Sequence, residues 1–232
     1  MNPHYTYLLL DLASLAGPLA LSFDKRVAFY KRWPALLPPM LLTALGFVVW
    51  DAWFTARGVW SFNDAYLLGL RLFDLPLEEW LFFIVVPYAC VFVYACLEAY
   101  VRPLRAYGKG WGAMLLLGIG LIAWAAVSYR QAYTLWAPGL CGVACVLLFL
   151  LRKRLRNVFR PHLFLISWAV CLVPFLLING ALTRLPVVLY NDAENCGIRI
   201  GTIPFEDVFY GMLLVLCSVV GMEWLSRRKT SQ

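Results

Sequence analysis

Apolar runs of about 20 residues recur seven times along the chain, near 5–21, 35–54, 79–97, 111–128, 133–151, 163–180 and 205–225, with short polar stretches between them. A bilayer core demands roughly 20 consecutive apolar residues from a helix rising about 1.5 Å per residue, so each run predicts a membrane-spanning helix. The expected fold class is therefore an all-α integral membrane protein of about seven transmembrane helices. No polar stretch is long enough to make a soluble domain outside the bundle. Only "MNPH" precedes the first run, with no basic n-region and no small-residue cleavage site, so that run is expected to be a retained helix rather than a removed signal.

Composition supports this reading. The 232 residues are 62% hydrophobic and 14% charged, with a mean hydropathy of +0.74, against roughly 45–50% apolar for a soluble domain. The net charge of +7 is explained by loop position and needs no nucleic-acid partner. Lys25, Arg26, Lys31 and Arg32 follow the first run; Arg102, Arg105 and Lys109 the third; Arg152, Lys153, Arg154, Arg156 and Arg160 the fifth; Arg227, Arg228 and Lys229 the last. These fifteen face one side of the membrane; Arg57, Arg71, Arg130, Arg184 and Arg199 face the other. The positive-inside bias then places the chain in the cell membrane with its N-terminus outside and its C-terminus in the cytoplasm.

The acids show the opposite bias. Asp51, Asp64, Asp74, Glu78, Glu79, Asp192, Glu194, Glu206 and Asp207 gather in the two long connections on the acid-rich side or at adjoining helix ends. A gapless shift of 128 positions superimposes these two places. It sets Asp51 on Asn179, Phe62-Asn63-Asp64 on Tyr190-Asn191-Asp192, Arg71 on Arg199, Pro76 on Pro204, and Glu78-Glu79 on Glu206-Asp207. The chain thus reads as a tandem repeat, with units at 1–110 and 131–232 joined by a linking helix at 111–130. An odd helix between them lets both three-helix units insert in the same sense, as parallel repeats about an axis near the membrane normal. Two acidic helix ends can then face one cavity.

A purely structural account makes Asp74 and Thr202 helix N-caps, puts Pro76 and Pro204 in first turns, and lets the helix dipole favour the acids that follow. It explains one copy. It does not explain why both copies keep the same Pro-x-Glu-acid signature, with Asn63-Asp64 and Asn191-Asp192 alongside, while the lipid-facing residues have diverged. Acids at membrane depth are costly and mark function by default.

Other chemistry has little support. The seven cysteines are scattered without a C-x-x-C and read as small apolar fillers; His4 and His162 cannot build a histidine metal site. No phosphate loop or dinucleotide fingerprint occurs, so neither cofactor nor metal is expected. Asp11, in the first run, has no acidic counterpart at Gly139 and is left without a role. Trp53, Trp60, Phe62, Trp80, Phe82, Tyr190, Phe209 and Tyr210 crowd the acidic ends, in part as interfacial aromatics.

Carboxyls, amides and aromatics in a greasy surrounding suit acid-initiated rearrangement of a hydrophobic alkene. The acting acid must be neutral, which burial and a like-charged neighbour favour in one member of a carboxyl cluster. The cation that follows is stabilised by aromatic faces and an ionised carboxylate.

"PLEEWLFF", "IPFEDVFYGMLL" and "NGALTRLPVVLYND", with the tandem three-helix arrangement, resemble the lycopene cyclase domain family across almost the whole chain. This membrane-integral type occurs as two small subunits or as one fused chain. The resemblance implies a fused enzyme that converts the acyclic ends of lycopene to rings without net redox change, with β-carotene the expected product. The second motif departs by ending in Asp207. Glu78, Glu79, Glu206 and Asp207 are the expected catalytic acids, with Glu78 and Glu206 favoured because neighbours on a helix point about 100° apart. Asp51, Phe62, Asn63, Asp64, Asn179, Tyr190, Asn191 and Asp192 are the expected supporting residues. A hydrophobic polyene and the lipid bilayer are the expected partners, with other carotenoid-pathway enzymes as further candidates. Two rival classes carry less: an intramembrane prenyltransferase needs Asp-rich diphosphate motifs, which are missing, and a retinal protein needs a mid-helix lysine. A proton-coupled carrier of a hydrophobic substrate is the remaining alternative.

Overall fold

The computed structural model describes residues 3–230. The seven apolar runs form helices α1 (Thr6–Leu21), α2 (Trp33–Ala56), α3 (Leu77–Tyr100), α4 (Trp111–Val127), α5 (Ala132–Leu150), α7 (Pro161–Arg184) and α8 (Asp207–Thr230), with a one-turn α6 (Arg152–Leu155) in the basic loop. α2 with the turn before it, α3, α5, α7 and α8 are each long and apolar enough to cross a membrane; α4 is a shorter apolar helix. The long connections add what apolar periodicity did not predict: strands β1 (Trp60–Phe62), β2 (Arg71–Leu72), β3 (Leu75–Pro76), β4 (Val188–Tyr190), β5 (Arg199–Ile200) and β6 (Ile203–Pro204).

The 128-residue shift carries α2 onto α7, β1 onto β4, β2 onto β5 and β3 onto β6 with identical bounds. The units interlock. Each first helix packs on its own third helix, α1 on α3 and α5 on α8, while each second helix packs on the third helix of the other unit, α2 on α8 and α7 on α3. α3 and α8 form the centre: 61% and 67% of their most apolar stretches are buried, against 39% for α2, 44% for α5 and 39% for α7. α4 packs against α5, where Gly118 and Gly142 meet so closely that a Cβ on either would stand under 3.0 Å from the other's carbonyl oxygen. Small residues at a crossing let membrane helices gain van der Waals contact where lipid offers no hydrophobic drive.

β1 and β4 pair antiparallel in the register Trp60↔Tyr190, Ser61↔Leu189 and Phe62↔Val188. Leu189 is also the repeat equivalent of Ser61, so the local two-fold passes between these two residues. At the basic end the units are joined by ions: Arg160, 3% exposed, reaches Glu98 at 2.6 Å and Glu223 at 2.9 Å, and Arg32, its repeat equivalent, reaches Glu98 at 2.7 Å. The Tyr94 hydroxyl also donates to Glu223, at 2.9 Å.

Candidate active site

The acids stand where two short hairpins meet the central helices. β2 and β3 pair as Arg71↔Pro76 and Leu72↔Leu75, and β5 and β6 as Arg199↔Pro204 and Ile200↔Ile203. Arg71 donates to the Asp74 carbonyl at 2.8 Å and to Asp64 at 2.6 Å; Arg199 repeats this with the Thr202 carbonyl at 2.7 Å and with the Asp192 carboxylate. The Arg199 bond, then one from Asn195, holds the Asp192 carboxyl below its usual range. Asn63 and Asn191 each accept from the backbone N–H two residues on, at 3.1 Å. Asn63, Asp64, Asn191 and Asp192 are therefore loop braces.

This corrects the helix-start account. Asp74 sits in the hairpin turn with φ 62°, and the N-cap position of α3 falls to Pro76, the last residue of β3. Pro76 and Pro204 end strands, and α8 begins two residues later than the repeat would place it, at Asp207. Two-residue strands are too short to show a period of two, so the sequence pattern concealed them.

All four acids are buried. Glu78 accepts from the Leu68 backbone N–H and Glu206 from that of Cys196, both at 2.7 Å, and Cys196 is the repeat equivalent of Leu68. Glu206 also accepts from Thr134 at 2.5 Å. The pair favoured on sequence thus faces the loops. Glu79 and Asp207 instead line a common cavity of about 40 Å³, room for about two or three waters. Glu79 accepts from the Tyr7 hydroxyl at 2.5 Å; Asp207 takes Tyr133 on one oxygen and Tyr190, at 2.9 Å, on the other. Burial, then the nearby Asp207, pushes the Tyr190 hydroxyl well above its usual range and keeps it a donor.

Asp51, Phe62, Asn179 and Tyr190, of the supporting residues, line this cavity, as do Trp60, Phe82 and Tyr210. Tyr210 is ringed by Phe47, Trp50, Trp60, Phe83 and Tyr133, with centroids 4.8–6.3 Å away. Among the described residues, one oxygen of Asp51 and the Tyr210 hydroxyl have no partner. Trp53, Trp80 and Phe209 stand elsewhere: Trp53 packs on Trp136, Trp80 donates to the Leu72 carbonyl at 3.3 Å, and Phe209 packs on Trp124. Asp11 is buried one turn along α1 from Tyr7, and it is not part of the cavity wall. Among the described residues, no three His, Cys, Asp or Glu side chains converge as a metal-binding group.

Sequence reasoning missed Tyr7, Tyr133, Phe175 and Thr134. Tyr7 and Tyr133 carry the same task from the first helices of the two units, but 126 positions apart, so the 128-residue alignment sets each against a different residue.

The lycopene cyclase family matches residues 4–97 and 130–225, one segment in each unit with α4 between them. The chain belongs to the lycopene cyclase family. It is 33% identical over 88 residues to the bifunctional lycopene cyclase/phytoene synthase of Pyrenophora tritici-repentis, covering 33% of this chain and 15% of that protein. The protein of the same name from Leptosphaeria maculans is 32% identical over 95 residues, 36% of this chain and 16% of its own. This lycopene cyclase family chain therefore aligns with only a small part of those relatives' length. No solved structure matches it.

Proposed function

We propose that the chain is a membrane-integral carotenoid cyclase that turns the acyclic ends of lycopene into rings, an intramolecular lyase with β-carotene as product. One observation carries the reading: an acid from each unit, Glu79 and Asp207, faces a single aromatic-walled cavity within an apolar bundle. Family membership supports it. Glu79, which accepts one hydrogen bond, from Tyr7, acts as the acid and gives its proton to the terminal double bond. The next alkene attacks the resulting tertiary cation, a carbon–carbon bond closes the ring, and the charge moves to a ring carbon. Trp60 and Tyr210 and the Asp207 carboxylate, fixed by two tyrosine hydroxyls, stabilise that charge. Loss of a neighbouring proton to Asp207 restores a double bond, so atoms and electrons balance without a redox partner. Return of that proton to Glu79 resets the site.

The same reading takes 1–110 and 131–232 as the two units and 111–130 as the linker, with the acid-bearing end outside and both basic loops and the C-terminus in the cytoplasm. A membrane-bound polyene pathway makes neighbouring carotenoid enzymes natural partners. The test is pigment extraction from a lycopene-accumulating host expressing the chain, where cyclic carotenoid should appear. Glu79→Gln and Asp207→Asn should each abolish it at normal membrane levels of protein, since general acid catalysis alone contributes about 10² to 10⁴-fold. Unchanged lycopene with the unmodified chain, or near-normal product from either variant, defeats the proposal.

A further inference from the structure

A groove of about 340 Å³ runs between α1, α3 and α7. Its floor is the α3 stripe Phe82, Val86, Ala89, Cys90 and Val93, which keeps to one helix face for about 16 Å. Ala13 of α1 and Pro174 and Leu177 of α7 form exposed lips, Leu177 at 69%, so the groove opens sideways between helices. Phe82, Phe175 and Asn179 line both the groove and the acid cavity. The two spaces share a wall.

The repeat supplies an internal control. Shifted by 128 positions, Phe82 becomes Tyr210, Phe175 becomes Phe47, Ile178 becomes Trp50 and Asn179 becomes Asp51. On that side Tyr210 packs on Trp50 at 4.8 Å and on Phe47 at 5.0 Å between ring centroids, and Trp50 continues to Phe54 at 5.6 Å. A hollow of about 330 Å³ remains between α2 and α5, lined by Gly46, Val49, Trp50, Trp53, Trp136 and Leu140, but none of these six lines the acid cavity. The hollows are almost equal in size. They differ in connection.

We propose that the α1–α3–α7 groove holds the unreacted length of the polyene while one end lies between Glu79 and Asp207, so that substrate enters from the bilayer on this flank. The proposal rests on the cyclase reading and gives it a direction. An acyclic polyene is a long apolar chain, which a narrow apolar groove walled off from the reaction cavity only by Phe82, Phe175 and Asn179 matches in shape and polarity. Leaving lipid for the groove brings such a chain little hydrophobic gain, so close packing along the α3 stripe decides selectivity. The cavity has room for only a few waters, and Phe82 and Phe175, the aromatic part of the shared wall, are the side chains that move to admit a ring end group.

The test compares KM for lycopene with KM for a truncated analogue that keeps one acyclic end and lacks the far half, using full-length protein in lipid vesicles. Ala13→Trp at the lip and Ala89→Trp on the floor should each raise KM for lycopene relative to the analogue by about tenfold or more, the scale of one methylene's misfit in an apolar pocket. Leu140→Trp, in the opposite hollow, should leave that ratio unchanged. An unchanged ratio in both groove variants, as expected if only lipid acyl chains occupy the groove, overturns the proposal, and so does an equal shift from Leu140→Trp. Failure of the unmodified protein to cyclise either substrate strikes at the cyclase reading instead, so the two failures are distinguishable.

Discussion

Glu78 and Glu79 are adjacent in the chain and face different surroundings, because each step along a helix rotates the side chain by about 100°. Glu78 turns back to the Leu68 N–H, Glu79 inward to Tyr7 and the cavity. Glu78→Gln keeps a carbonyl acceptor for that N–H, so most turnover should survive it. Glu78→Ala leaves the donor without a partner, which should cost about 1–3 kcal/mol of stability. Thermal unfolding in detergent, set beside product formation, checks both; loss of turnover in Glu78→Gln at unchanged stability would return the proton-transfer role to Glu78. Glu206→Gln, against the Cys196 N–H, should behave the same way. That both units carry paired acids at this spot was legible in the sequence, since the motif occurs twice. Which acid of each pair faces the cavity was not, because the rotation of the helix about its axis is set by the hairpin that feeds it.

The two hairpins solve one turn with different residues. Phe73 and Asp74 lie at φ 53° and 62°, both left-handed, whereas the other turn places Gly201 at φ 65°. Left-handed backbone costs a residue with a Cβ about 1–2 kcal/mol, and Asn-Gly or Asp-Gly are the pairs such two-residue turns favour. Asp74→Gly should therefore stabilise the protein by roughly 1 kcal/mol, the low end because Asp visits this region more readily than most residues. Gly201→Ala should destabilise it by about 1–2 kcal/mol. Opposite shifts in unfolding midpoint are the expected result, and shifts of the same sign would show that strain does not govern these turns. Phe73 is a poorer target, since it stacks on Trp80 at 6.2 Å and replacing it loses that contact. Elements of this size explain the uneven legibility of the fold. A bilayer forces spans of about 20 apolar residues, so the seven helices could be read from hydropathy. Pairs such as Arg71-Leu72 with Leu75-Pro76 leave no periodic trace, yet they aim the acids.

At the scale of the molecule, charge and symmetry act at opposite ends. Arg32, Glu98, Arg160 and Glu223 clamp the units where the basic loops lie, and the β1–β4 pair joins them where the acids lie. Ala65 and Ala193, both exposed, mark the acidic end and Lys153 the basic one. In a background with the native cysteines replaced, Ala65→Cys and Ala193→Cys should react with an impermeant thiol reagent in intact cells, and Lys153→Cys only after permeabilisation. The reverse pattern would invert the orientation. Antiparallel pairing about Ser61 and Leu189 asks only that a strand complement itself, so two identical half-length ancestors could have associated through this seam before fusion, with no interface to invent. Once joined, the halves were free to become unequal without parting. Exchanges such as Glu79 for Asp207, Phe82 for Tyr210 and Trp50 for Ile178 leave a symmetric frame with a cavity of unlike walls, an aromatic stack on one flank and an apolar groove beside the other.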